Sequence, residues 1–289
     1  MIGLIVKGIG GFYYILDEEG NTTQCRARGS FKNEGITPCV GDKVDFEILD
    51  DGDGIVEKIY PRKNHFIRPP VSNIDLMAIV TTASNPKPVP YIIDKFLVMA
   101  ELSGAEIIIC VNKADKAKKK VLAELEEVYG GIYPLHVISA VDGQGLEELK
   151  NDLKGKKCAF AGPSGVGKST LINALDPEKK LETGEISKKT NRGKHTTRHV
   201  EIFSLPFGGM IYDTPGFTSF DVFENDVAML QHNFPEMRNY LGKCKYDDCL
   251  HLKEPECSVL DALEEGKISK SRYDSYIRMI EEIRKKKNY

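Results

Sequence analysis

Tryptophan is absent from the 289 residues, and no apolar run approaches the length of a membrane span. Met1–Val6 is apolar but Lys7 interrupts it, so the segment is too short for the core of a signal peptide. A large charge of one sign is missing as well. Forty Lys and Arg against 43 Asp and Glu leave a formal net charge of −3, which excludes a global basic field. Any contact with nucleic acid must therefore come from local patches. Lys116–Lys120, 188–199 and Arg284–Lys287 are the candidates, although charge runs are most often solvated faces. An even set of cysteines for pairing is lacking too: of seven, Cys25, Cys39, Cys110 and Cys158 are scattered and three cluster near the C-terminus. These absences lead to the expectation of a cytoplasmic protein with no membrane association, in which clustered cysteines favour a metal over disulfides. What is present, 41% hydrophobic and 29% charged residues, suits a soluble globular chain long enough for two domains, or three if one is small. Nothing demands a dimer, and a monomer is expected.

Residues 1–65 read as short strands. Leu4, Val6, Phe12, Tyr14 and Leu16 alternate with other residues, Glu19-Gly20-Asn21 supplies a turn, and Thr22–Arg28, Lys43–Ile48 and Ile55–Tyr60 continue the period of two. Five strands in this length suggest an all-β barrel of the oligonucleotide-binding (OB) type, with Arg26, Arg28 and Lys32 suited to phosphates. A barrel that only packs against its neighbour is the alternative. Pro61, Pro69 and Pro70, with Arg62, Lys63 and Arg68, mark a linker, drawn at 66–73.

From Ile74 strands alternate with helices, the signature of a mainly parallel sheet covered on both faces, and this α/β unit is assigned to 74–225. Ile74–Thr82 is an apolar strand, Tyr91–Leu102 a helix, and Glu106–Val111 a strand ending in Asn112-Lys113-Ala114-Asp115, a match to NKxD. A carboxylate at Asp115 can accept two hydrogen bonds from a guanine ring nitrogen and exocyclic amine, groups that adenine does not present. Asn112 would brace neighbouring loops and Lys113 would lie along the base. After a helix at Lys118–Tyr129 and a strand at Tyr133–Ile138 comes Ser139-Ala140, where a backbone amide could donate to the guanine carbonyl.

Gly162-Pro163-Ser164-Gly165-Val166-Gly167-Lys168-Ser169 matches GxxxxGK[ST], the phosphate-binding loop, between the strand Cys158–Ala161 and the helix Ser169–Leu175. Its backbone amides, with Thr170 just beyond, would surround phosphate; Lys168 would reach the β- and γ-phosphates and Ser169 would ligate Mg²⁺. The polar segment 183–198 contains Gly193-Lys194-His195-Thr196-Thr197. A threonine there, Thr197 in preference to Thr196, would ligate Mg²⁺ when a γ-phosphate is present. Strands at His199–Leu205 and Gly209–Tyr212 lead to Asp213-Thr214-Pro215-Gly216, a DxxG match in which Asp213 would hold Mg²⁺ through water and the Gly216 amide would meet the γ-phosphate. These are the motifs of a GTPase, binding GTP and GDP, but with base recognition ahead of phosphate binding. The chain is read as a circular permutation, tolerable because strand adjacency rather than strand order decides packing.

The remaining residues, 226–289, carry Cys244-x4-Cys249-x-His251-x5-Cys257. Three thiolates and an imidazole at this spacing fit a closed tetrahedral Zn²⁺ site of the structural kind, coupled to folding of a short polar region. Helices are expected around Val227–Leu241 and at Ser271–Lys287, the latter opened by a capping-box-like Ser271 and Asp274. Its basic end, Arg284–Lys287, suits either the helix dipole or RNA phosphates.

A barrel, a GTPase with its guanine motifs ahead of its phosphate loop, and this Cys/His spacing together resemble the small-ribosomal-subunit-dependent GTPase A family (RsgA, also called YjeQ or YloQ) over essentially the whole chain. The resemblance implies a factor in late maturation of the small ribosomal subunit, touching its rRNA through the barrel and the zinc region. It also implies slow intrinsic GTP hydrolysis stimulated by that subunit. One local feature agrees: Phe217 follows Gly216 where Ras-like enzymes carry a water-orienting glutamine, and a phenyl ring makes no such hydrogen bond. His195 is the candidate catalytic group in its place, alongside Lys168 and Thr197; the family's histidine there is similarly implicated, and contact with RNA phosphate is the alternative for this residue. An RNA-binding assembly protein in which GTP is mainly a structural ligand is the alternative for the whole chain.

Overall fold

In the computed structural model, residues 1–33, 35–50, 52–179, 200–213 and 226–287 are described. The N-terminal strands are β1 (Ile2–Ile9), β2 (Phe12–Asp17), β3 (Thr22–Ala27), β4 (Lys43–Ile48) and β5 (Gly54–Ile59). β1 pairs with β2, β2 with β3, β3 with β5, β5 with β4 and β4 with β1, so the ring closes. The period of two sends Ile5, Ile15, Cys25, Val44, Phe46 and Val56 inward, each no more than 1% exposed. A short helix α1 (Gly29–Asn33) lies between β3 and β4.

The proline-rich stretch that follows folds back as the hairpin β6 (His65–Phe66) and β7 (Val71–Ser72) and is stitched to the barrel by Asp42. This fully buried carboxylate accepts from Arg62 Nε and Nη2 (2.7 Å each), Ser72 Oγ (2.6 Å) and the Cys39 amide (2.8 Å). Four donors on one buried charge make it a fixed joint. At the neighbouring Gly41, φ is +99° and a Cβ would lie 2.1 Å from the Ser72 carbonyl oxygen, so only glycine fits. Tyr212 reaches the same place, donating its hydroxyl to the Ser72 carbonyl.

The second unit contains β8 (Leu76–Thr82), α2 (Pro90–Ser103), β9 (Glu106–Asn112), α3 (Lys119–Tyr129), β10 (Leu135–Val137), α4 (Leu146–Leu153), β11 (Lys157–Ala161), α5 (Lys168–Leu175), β12 (Val200–Ser204) and β13 (Met210–Asp213). Strand order is β10-β9-β8-β11-β13-β12, parallel except for β12. Alternate residues of one strand feed two cores. Met77 and Ile79 join Phe96, Leu97 and Leu125 of α2 and α3, whereas Leu76, Ala78 and Val80 join Leu149, Leu153 and Leu171 of α4 and α5. Helix α4 falls in the stretch between Ser139-Ala140 and the phosphate-loop strand, where the sequence pattern leads to no expected element. The edge strand β12 also pairs antiparallel with β1, at Lys7↔Glu201 and Gly8↔Val200, so barrel and parallel sheet form one eleven-stranded sheet.

The single helix expected around 227–241 is instead α6 (Val227–Leu230) followed by two 3-10 turns, 231–233 and 235–237. Pro235 explains the break: it lacks an N–H and pushes Phe234 to φ −117° and ψ 92°. After α7 (Ser258–Glu264), the last helix α8 (Lys270–Lys287) starts one residue ahead of Ser271. Ser271 therefore lies inside the first turn rather than at the expected cap position, and Asp274, its expected capping-box partner, pairs with Lys270 at 2.7 Å instead. Arg272, fully buried, bonds Asp94 of α2 (2.7 Å) and Glu236 (2.7 Å), and its guanidinium lies 4.7 Å from the Phe234 ring centroid. Tyr129 of α3 donates to the same Asp94 oxygen at 3.0 Å. The C-terminal region is thereby locked onto α2. Among the described residues no helix is long and apolar enough to cross a membrane.

Candidate nucleotide and metal sites

Lys168 begins α5, and Gly167 ahead of it is left-handed (φ 95°, ψ 26°). A Cβ on Gly167 would lie 2.5 Å from Asn112 Nδ2, so glycine is required by both conformation and space. Asn112, at the end of β9 and 2% exposed, donates from Nδ2 to the Val166 carbonyl (3.0 Å) and the Gly167 carbonyl (3.4 Å). Its Oδ1 accepts from the Ala140 amide at 3.3 Å. One buried amide therefore ties the GxxxxGKS loop, the NKxD turn and the Ser139-Ala140 loop together, segments far apart in sequence and out of the usual order.

Lys113 is left-handed as well (φ 63°), and its Nζ donates to the Asn85 and Gly165 carbonyls, both at 2.7 Å. Burial, with Lys116 nearby, lowers its pKa. Asn85 has no place among the sequence candidates, because a backbone carbonyl acceptor leaves no signature in residue type. Asp115 sits in the 3-10 turn Ala114–Lys116, where Ser139 Oγ, itself fully buried, donates to its Oδ1 at 3.2 Å. Lys168 Nζ donates to the Gly162 and Pro163 carbonyls at 2.6 and 3.0 Å. Burial pushes its pKa down to about 8, and carbonyl dipoles rather than a carboxylate hold the charge. Ser164 and Gly165 are exposed, whereas Val166 is buried. Ser169 and Thr170 occupy the first turn of α5, half-buried.

Asp213 ends β13, the strand beside β11, so it lies at the same end of the sheet as the loop that follows β11. Its pKa is raised, first by burial and then by the charge of Glu201, with Lys179 opposing. A half-buried carboxylate under these influences is a good partner for a divalent cation, which relieves both. His195, Thr196, Thr197, Gly216 and Phe217 lie outside the described residues.

In the C-terminal region, one ligand atom from each of Cys244, Cys249, His251 and Cys257 falls within 4.8 Å of all the others. Sulfur separations are 3.8 Å for Cys244–Cys257 and 3.7 Å for Cys249–Cys257. His251 Nδ1 stands 3.6, 3.3 and 3.2 Å from Cys244, Cys249 and Cys257. Bonds of about 2.3 Å to sulfur and about 2.0 Å to nitrogen give tetrahedral edges of about this length. The four residues fit a metal ion. His251 turns Nδ1 inward because Nε2 donates to Gln231 Oε1 at 2.6 Å, which fixes the tautomer. Tyr276 and Tyr273 hold the Leu250 and His251 carbonyls from α8.

The arrangement of the nucleotide motifs, with the base-recognition turn on a strand preceding the phosphate loop, is the deciding geometry, and the comparisons agree with it. Residues 59–223 match the RsgA GTPase model and residues 2–56 match the RsgA N-terminal domain. The chain belongs to the RsgA GTPase family. Relatives described as small ribosomal subunit biogenesis GTPase RsgA include one from Caldanaerobacter subterraneus subsp. tengcongensis, 44% identical over 98% of this chain and 96% of the relative. Another, from Alkaliphilus metalliredigens, is 41% identical over 99% of both chains. Among solved structures, YjeQ from Thermotoga maritima superposes with a TM-score of 0.86 at 38% identity, covering 98% of each chain. YloQ, described as a circularly permuted GTPase, gives 0.83 at 35% identity, covering 99% of this chain and 95% of its own. The permuted order expected from the motifs is thus the RsgA order.

Proposed function

We propose that this RsgA-family protein hydrolyses GTP to GDP and phosphate as a late maturation factor of the small ribosomal subunit, working in the cytoplasm as a monomer. The observation that carries this reading is the Asn112 brace, whose one amide joins the end of the strand leading to Asp115, the loop leading to Lys168 and the Ala140 amide. Asp115, aligned by Ser139, takes the guanine edge, with Lys113 along the base and the Ala140 amide near its carbonyl. The backbone from Gly162 to Thr170 surrounds the phosphates. Mg²⁺, held by Ser169, Asp213 and Thr197, would neutralise charge on the phosphates, while the Gly216 amide meets the terminal one. His195 takes the water-orienting role that Phe217 cannot fill. Zn²⁺ is the ion best suited to the Cys₃His set. The barrel at 1–65 and the metal region at 226–289, on either side of the linker 66–73 and the GTPase unit 74–225, supply the surfaces for rRNA. The decisive test is multiple-turnover phosphate release with and without purified small subunits: strong stimulation is expected, and an unchanged rate counts against the reading. Phe217 favours a second reading, in which GTP is mainly a structural ligand of an RNA-binding assembly protein; slow release in both conditions supports it.

The lowered pKa of Lys168 makes a separate prediction. In the nucleotide-free protein its ammonium is intact below about pH 7 and lost as pH rises through about 8, whereas bound phosphates hold the proton on. Affinity for GTP is therefore expected to fall about tenfold between about pH 7 and 9, with proton uptake on binding near pH 8. Calorimetry in buffers of different ionisation enthalpy measures both; a pH-independent affinity over this range would contradict it.

A further inference from the structure

Strands β1, β12 and β13 set three charged residues abreast. Lys7 of the barrel is the register partner of Glu201, and Glu201 is the register partner of Asp213. Directly opposed residues of antiparallel strands project to the same face with Cβ atoms about 5 Å apart, so the row Lys7, Glu201, Asp213 runs from barrel to nucleotide site along one side of the sheet. Lys7 Nζ stands 3.0 Å from Glu201 Oε2, with the two side chains 32% and 44% exposed. Lys7, Glu201 and Lys179 also line one cleft of about 430 Å³ between barrel and parallel sheet, with Lys179 Nζ 4.5 Å from the Phe203 ring centroid. An exposed pair of this kind contributes little to stability. Its position beside a carboxylate assigned to a divalent cation gives it a different use.

We propose that Lys7 and Glu201 are positioning residues that set the strength with which Asp213 holds the nucleotide's Mg²⁺, so that a barrel side chain tunes the metal dependence of the GTPase site. Glu201 adds negative charge beside Asp213, and Lys7 neutralises that charge from across the domain boundary. Anything that draws β1 away from β12 leaves Glu201 uncompensated and tightens the hold on the cation; anything that presses Lys7 closer loosens it. The inference rests on the reading of Asp213 as the Mg²⁺ carboxylate given above.

The test is titration of Mg²⁺ into the full-length protein with a fluorescent GTP analogue, reading the half-saturating Mg²⁺ concentration. Lys7→Ala is expected to lower it and Glu201→Gln to raise it, each by about fivefold at low salt, and both shifts shrink as ionic strength rises. The Lys7→Ala/Glu201→Gln double variant is expected to return to within about twofold of the parent, and Lys7→Arg to stay there, a sign pattern that loss of a merely structural contact does not give. The charge swap Lys7→Glu/Glu201→Lys preserves the pair and reports whether placement alone matters: it is expected to raise the half-saturating concentration, because the positive end now sits nearer Asp213. Shifts of the same sign in both single variants, or none in either, overturn the proposal. Asp213→Asn separates the two levels. If it abolishes Mg²⁺ dependence while the singles fail to move oppositely, only this inference falls; if it leaves Mg²⁺ dependence intact, the assignment of Asp213 falls and this inference with it.

Discussion

Stripping the metal with a chelator, or replacing Cys249 by serine, is expected to unfold residues 226–287 while the parallel sheet still binds nucleotide. An ion held by the four ligands would tie together the least regular part of the region: α6 and α7 are a single turn and two turns long, the polypeptide reverses through left-handed residues at His251 and Glu256, and Cys249 and Cys257 belong to the same core as Phe234, Tyr276 and Ile283, so that core opens if its ligand loops are released. A structural Zn²⁺ contributes on the order of 10 kcal/mol to such a fold. The damage reaches further, because Arg272 would leave Asp94 unpaired inside α2, and breaking a buried ion pair costs about 3–5 kcal/mol. The expected signature is loss of helical circular dichroism, rapid proteolysis beyond about residue 226, and a lower melting temperature for the remainder. Re-addition of Zn²⁺ to the chelated protein should reverse it, and an unchanged protease pattern in the metal-free protein would show that the region stands without the ion.

The second large effect concerns base choice. Asp115→Asn is expected to weaken GTP binding by about 10²–10⁴-fold and to erase the preference over ATP, because an amide offers one acceptor and one donor where guanine presents two donors. The same reasoning predicts a gain for xanthosine triphosphate, whose carbonyl replaces the exocyclic amine. Ser139 Oγ would still reach the side-chain oxygen at position 115, so the turn itself should survive. Competition binding with the three nucleotides measures all of this, and retained guanine preference in the variant would show that Asp115 does not read the base.

Much of the architecture was legible because local chemistry decided it. Inward Val44 and Val56 alternate along β4 and β5, and the apolar run Leu76–Thr82 is buried on both faces, as a central parallel strand must be. In β1 and β2 the other phase won: Leu4, Val6, Phe12, Tyr14 and Leu16 are half-buried and the intervening Ile5 and Ile15 fill the barrel, because both sets are apolar and the period alone does not say which faces inward. The nucleotide motifs carry their own spacing, so Asn112 and the loop at Gly162–Ser169 could be read before the bonds from Asn112 to the Val166 and Gly167 carbonyls were visible. Other features depend on meetings that sequence does not encode locally. Arg272, Asp94 and Glu236 are each ordinary surface-type residues until packing of α8 on α2 brings them together. Asp42 was likewise hidden, its four donors coming from the β3–β4 segment and the proline-rich hairpin. The helix expected at 227–241 failed because Pro235 outweighed the apolar spacing on either side of it.

The join between β1 and β12 sets an order of events during synthesis. All five barrel strands have left the exit tunnel once the residues up to Ile59 have emerged, so the ring can close early from nearby contacts. The far half of β1, from Lys7 onward, then waits for Val200 and Glu201, which arrive after most of the parallel sheet. A truncated chain that ends before Val200 should consequently contain a finished barrel held to the start of the parallel sheet by the Asp42 joint, without the β1–β12 pairing that makes the two sheets continuous.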